Sequence, residues 1–423
     1  MLFRSVNKNK INKMKTLKKL FDLKDNRNLK AVFYVLFLDF VYTFSDWINQ
    51  GYLSVQSVQD NTAVCWPYFK SCTSLYVFDS LPFGYSLNIL YMVLGLFLFV
   101  SLYYAYVENW NRALMYLIVP TIFKFFMIYM FSYLVVGNFN IISLFLALFL
   151  IFSKDKLHSL KVLFTLFYLC AAFIKINPGY ISGDIFASLK LGVPLLPDYF
   201  LNYYGVLFLL ILLVLPILLW STNLKVRLFS ISILTIFHIY SIALVGYRYP
   251  VLCIPILWLL FFFAEHQKFE TKRLIKDYFA FVIILLLIIS QIIPIMIKGD
   301  ERITSEGEKY GFYMFTANRQ CVREINVYYK DGTQKENVYK EYRGMRRCDP
   351  YEDWYRIQNT CKQEKVKSVK WSFNVSVNGS NFYNIVNTEN ACELKDYKPF
   401  EHNDWIDLTG KQDKNLKVYK NSI

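Results

Sequence analysis

From Ala31 to about Ile297 apolar residues come in long blocks broken by short polar stretches, and beyond Lys298 they come in brief alternating runs. The first pattern predicts membrane-crossing helices and the second predicts strands. Spans are expected at 31–48, 85–107, 113–135, 138–153, 160–176, 200–220, 227–246, 249–265 and 278–297, with the fourth and fifth short. Residues 1–30 form a basic tail, 31–297 a helical membrane domain and 298–423 a polar domain. The expected fold is therefore a polytopic α-helical membrane protein of about nine spans with a C-terminal, extracytoplasmic, β-rich domain.

Charge fixes the orientation of this arrangement. Residues 1–297 hold 25 Lys/Arg against 13 Asp/Glu, while 298–423 hold 22 against 19, so most of the net charge of +15 belongs to the membrane part. With the N-terminus inside, the inner segments carry 20 basic residues and the outer loops only Lys70, Lys190 and Arg248. That is the positive-inside bias, and an odd number of spans then puts the polar domain outside. The bilayer is the partner this charge implies. Nucleic acid is not, because no basic stripe with interleaved aromatics marks the polar domain. The first span lacks a small-residue cleavage site and is interrupted by Asp39 and Asp46, so no removable signal peptide is expected. Leu17, Leu20, Phe21 and Leu23 among lysines read equally as a helix lying on anionic lipid or as a solvated tail.

Cysteine usage agrees with the orientation. Cys65 and Cys72 fall in the first outer loop and Cys321, Cys348, Cys361 and Cys392 in the polar domain, an even number on the oxidising side, while Cys170 and Cys253 lie inside spans. Disulfides are expected there, with pairing open, and no Cys-x-x-Cys pair supports zinc. In the polar domain, 322–342 reads as two strands about Asp331-Gly332 and 367–386 as two more about Asn378-Gly379. Asn374-Val375-Ser376 and Asn378-Gly379-Ser380 match the glycosylation acceptor pattern, which has meaning only in a eukaryotic secretory membrane.

Charge inside hydrocarbon costs at least about 2.5 kcal/mol for a central Lys or Asp, so intramembrane ionisable groups are candidate sites. Asp39 and Asp46 in the first span and Lys124 in the third could serve a transporter, although no inverted repeat or pair of Gly/Pro-broken spans is visible. The plainer reading of Lys124 is a structural pair with an aspartate on a neighbouring helix. Lys175 sits in Phe173-Ile174-Lys175-Ile176-Asn177-Pro178-Gly179-Tyr180, about one turn from the outer boundary. It reads either as a lysine snorkelling to the interface or, in an apolar pocket, as an amine poised to act as a base. His238 in the seventh span is a buried histidine or a second catalytic group.

Taken in order, these residues resemble the vitamin K-dependent γ-carboxylases and their bacterial relatives with the horizontally transferred transmembrane (HTTM) domain. Lys-Ile-Asn-Pro-Gly-Tyr-Ile-Ser-Gly-Asp at 175–184 is similar to the family's lysine-containing stretch. The Phe237-His238 segment, followed by Gly246 and Pro250, is similar to its Phe-His helix. Gly311 to Phe315, Arg319 and the Val327–Gly332 strand and turn resemble the lead-in to its outer β domain, and Cys392 with 400–406 resembles that domain's end in bacterial members. The resemblance implies a carbon–carbon lyase using reduced vitamin K or another quinol. Lys175 and His238 would be catalytic, Asn138 and Arg319 substrate-binding, and a glutamate-containing protein or peptide the substrate. It also implies an inner bacterial membrane or an endoplasmic reticulum membrane. Two departures stand out. The family's Asn-His pair is Asn138-Phe139 here, and the histidine near the start of its β domain is replaced near Ala317. Quinol deprotonation through Lys175 is compatible with both, whereas glutamate carboxylation loses an assisting imidazole. A noncatalytic protein binding a partner through the outer domain is the alternative within the same fold.

Overall fold

The computed structural model describes residues 23, 26–49, 64–69, 86–135, 137–189, 193, 196–341, 348–409 and 412–413. Each predicted span contains a helix: α1 (Arg27–Asn49), α2 (Ser86–Tyr106), α3 (Trp110–Phe126, continued by a π-turn Met127–Phe131), α4 (Asn138–Phe152), α5 (Lys156–Phe173), α6 (Leu201–Leu218), α7 (Leu224–Val245), α8 (Arg248–Phe261) and α9 (Tyr278–Met296). Six of these, α1, α3, α5, α6, α7 and α9, are long and apolar enough to cross a bilayer, and α2, α4 and α8 contribute shorter apolar helices. The chain is a polytopic membrane protein. Leu17, Leu20 and Phe21 lie outside the described residues.

Burial sorts the helices. α5 packs against α4, α6, α8 and α9, and 83% of its spanning window is buried, against 28% for α9. The short α4 is apolar on every side and buried along most of its length, as expected of a helix enclosed by others. Its last carbonyls are met by the Lys156 ammonium, which donates to Ile151 O at 2.9 Å and Ser153 O at 3.0 Å. A cation there also suits the negative end of the helix dipole. The fifth span is displaced from its predicted position: Asp155 caps α5 by accepting from His158 N, and the helix ends at Phe173. Lys175 is thus in the turn beyond the helix.

The C-terminal part is an antiparallel sheet in the order β2-β1-β3-β4-β5, with β1 (Arg319–Tyr329), β2 (Gln334–Glu341), β3 (Val366–Val377), β4 (Phe382–Thr388) and the two-residue β5 (Gln412–Asp413). Both predicted turns are present. Asn378 and Gly379 have φ of 51° and 76°, left-handed values that asparagine and glycine accept most readily. Val369, Trp371, Phe373 and Val375 alternate into the core of this domain. The sequence reading gave no helix here, yet α10 (Pro350–Cys361) packs on β3, started by Asp349, which accepts from Tyr351 N at 3.0 Å, and by proline at its first position. Disulfides Cys321–Cys348 and Cys361–Cys392 fasten the region at both ends of α10, consistent with an extracytoplasmic location. Cys170 and Cys253 are buried and free. Cys65 is disulfide-bonded, and Cys72 lies outside the described residues.

Candidate functional site

The residues after α5 make a compact cradle. Asn177 accepts from Tyr180 N at 3.0 Å and caps the single turn Pro178–Ile181, and Gly183 at φ 83° lets the next turn, Asp184–Ala187, begin. Gly205 of α6 lies so close to Tyr180 O that a β-carbon there would clash with it. The asparagine, proline and glycines of the motif therefore have structural work in placing Lys175.

Lys175 is 5% exposed. Its Nζ donates to Ala171 O at 3.1 Å and to Met314 O at 2.5 Å, and no carboxylate pairs with it among the described residues. The amine is thus buried without a counter-charge. The amine lines a cavity of about 70 Å³ whose wall is aromatic, with Tyr180, Phe186, Phe208, Tyr249 and Phe315 around it. This holds a few small-molecule atoms and is well below the roughly 300–1,000 Å³ of drug-sized pockets. Phe315 has φ 51°, an uncommon conformation for a bulky residue and of a kind that clusters at functional sites.

His238 stands behind this wall rather than on it. Phe237, Tyr240 and Ser241 of the same helix line the cavity, while the His238 ring packs 5.2 Å from that of Tyr249. Its Nε2 is 2.6 Å from the Tyr168 hydroxyl, and Nδ1 has no hydrogen-bond partner among the described residues. Tyr168, Ala171 and Lys175 recur at the three- and four-residue spacing of one face of α5 and its extension, so one stripe carries the tyrosine that holds His238 and the carbonyl that holds Lys175. Asn138 lies off the cavity and donates to Tyr313 O at 2.9 Å, one residue from the carbonyl that Lys175 uses. Arg319 is further away in the chain's packing: it ion-pairs with Glu308 and donates to the carbonyls of Arg302 and Glu301. Of the four, Lys175 alone lines the cavity, His238 packs behind its wall, Asn138 bonds to the residue next to Met314, and Arg319 holds the start of β1.

Asp39, Asp46 and Lys124 are matched. Lys124, fully buried, donates to Asp39 Oδ2 at 2.9 Å, Thr43 Oγ1 at 3.2 Å and Ser143 Oγ at 2.5 Å, joining α1, α3 and α4. This is the structural pair expected as the plainer reading. The Phe139 ring centre lies 5.9 Å from Lys124 Nζ. Asp46 accepts two hydrogen bonds from Arg248 at 2.6 and 2.9 Å. Of the two acceptor-pattern asparagines, Asn374 is buried and bonded to Ser372, and Asn378 Oδ1 accepts from Asn318 N at 2.8 Å.

Sequence reasoning missed Tyr168, Tyr249 and the Met314 carbonyl. Tyr168 was detectable, since it lies seven residues before Lys175, but a backbone acceptor has no residue type to announce it. No family model, curated protein or solved structure matches the chain.

Proposed function

We propose that this chain is a membrane enzyme of quinol-linked chemistry, resembling the vitamin K-dependent γ-carboxylases, in which Lys175 takes a proton from a phenolic hydroxyl arriving from the outer leaflet. In this reading the chain crosses the membrane nine times, with the N-terminus cytoplasmic and the sheet outside, in a bacterial inner membrane or the endoplasmic reticulum. One observation carries it. A neutral lysine amine has two N–H groups and a lone pair, and Ala171 O and Met314 O occupy two N–H positions. The lone pair is left for the cavity, whereas a third N–H on an ammonium would need an acceptor there. Transfer gives the ammonium and the quinol anion, and the Tyr168–His238 pair backs the aromatic wall against which the ring would lie. The quinol, when bound, would supply the strong base formed with oxygen that removes a glutamate γ-proton before carbon dioxide adds. Residues of this chain bind, orient and exclude water. Phe139 leaves the carboxylation half without the family's imidazole, so deprotonation through Lys175 is the better supported half.

The test is incorporation of labelled carbon dioxide into a glutamate-containing peptide by membranes given reduced vitamin K, together with quinone binding. Wild-type incorporation abolished by Lys175→Ala is the expected result. Silence from both chains, with quinone bound by neither, overturns the proposal.

A further inference from the structure

α5 carries two buried lysines, Lys156 and Lys161, at the end remote from Lys175. Lys161 precedes Lys175 by fourteen positions, about 21 Å along a helix axis. It is 3% exposed, donates to Glu265 O at 2.9 Å and rests 5.9 Å from the centre of the Phe261 ring. Beside it Arg227 of α7, 8% exposed, donates through Nη1 to Ser221 O at 3.1 Å and contacts His266 Nδ1 at 2.9 Å. A guanidinium only donates, so Nδ1 of His266 is the acceptor and its Nε2 carries the hydrogen. That Nε2 and Arg227 Nε are both buried and without a partner among the described residues. Lys161 has hydrogens left over from its one carbonyl.

Carboxylates do not account for these donors. Asp155 is held by Arg273 at 2.6 Å, Glu265 gives its backbone carbonyl and leaves its side chain exposed, and neither Lys161 nor Arg227 forms an ion pair among the described residues. Three cationic or donating groups meet with no carboxylate bonded to them among the described residues, the Glu265 and Asp155 carboxylates acting on Lys161 only at longer range, against an apolar wall in which Trp220 packs 6.1 Å from Phe261 and 5.4 Å from Phe269.

We propose that Lys161, Arg227 and His266 form a binding site for a phosphate group at the end of the bundle remote from Lys175. Its donors match phosphate, for which a guanidinium with a free Nε–H is suited, and an adjoining aromatic wall could carry the chain of a lipid. The group comes either from a phospholipid headgroup or from free phosphate, and the site is independent of the chemistry assigned to Lys175.

The experiment uses the full chain in detergent. Native mass spectrometry compares retention of phosphatidic acid with that of diacylglycerol, which lacks only the phosphate, and thermal unfolding is followed with and without inorganic phosphate. Wild type is expected to prefer phosphatidic acid by about tenfold or more, and Arg227→Gln to lose most of that preference while Arg227→Lys keeps part. His266→Ala, in a half-exposed loop, serves if Arg227→Gln does not fold. Stabilisation by inorganic phosphate without a lipid preference, and its loss in the same variants, assigns the site to free phosphate. No response to either probe, or variants that respond as wild type does, overturns the proposal.

Discussion

Two buried lysines show how differently a membrane protein can treat the same group. Around Lys124 the bundle supplies a carboxylate and two hydroxyls from neighbouring helices, so every hydrogen of the ammonium has an acceptor. Around Lys175 it supplies two carbonyls and a cavity. The first arrangement fixes a charge and ties helices together. The second leaves a nitrogen facing a cavity with no carboxylate bonded to it among the described residues. The acceptor inventory distinguishes them.

The sharpest way to break the comparison is by stability. Lys124→Met strands the buried Asp39 and is expected to cost about 3–5 kcal/mol in denaturant unfolding of the solubilised protein. Lys175→Met strands no carboxylate and should cost about 1–2 kcal/mol, chiefly from the Met314 carbonyl. Equal losses would show that Lys175 is structural too. Pairing Lys124→Met with Asp39→Leu should recover much of the first loss, since the destabilisation is that of an orphaned charge.

A smaller effect is expected from the wall. Gly205→Ala pushes a methyl against Tyr180 O and should lower stability by about 1–3 kcal/mol, and reduce any quinone binding with it. Gly95→Ala on α2, with nothing within 4 Å, is the control and should be neutral or mildly stabilising in the same unfolding measurement.

A pH-dependent effect concerns a buried acid that has a partner and is still perturbed. Asp353 lies 3.0 Å from Arg323 in the C-terminal domain, yet burial raises its carboxyl to about 6 from an ordinary 3.8. The folded chain then holds this proton more tightly than the unfolded chain. The stability it contributes is therefore full below about pH 3.8 and is lost as pH climbs through about 6. Asp353→Asn should flatten that part of the stability–pH curve, as followed by the unfolding midpoint. An unchanged slope would remove Asp353 as its source.

Much of this was written in residue types. Nine apolar blocks became nine helices because twenty-residue apolar stretches have few alternatives, and Asn378-Gly379 made its turn because both residues tolerate positive φ. The pairing of Cys321 with Cys348 and of Cys361 with Cys392 was not legible, since four cysteines allow three connectivities. α10 was missed although Asp349-Pro350 is a helix start, because the strands on either side set the expectation. At the site, Lys175 was visible by its charge, while the partners that define it, a carbonyl and a ring of aromatics, look like any other interior.

The Met314 carbonyl joins the two halves of the molecule. It belongs to the segment leading into β1, so the ceiling over Lys175 is contributed by the part of the chain that folds as a sheet. Asn318 extends the same seam, donating to Ser188 Oγ at 2.8 Å. A helical bundle severed after Met296 would consequently keep the lysine but lose its roof, and the amine would be returned to water as an ordinary cation.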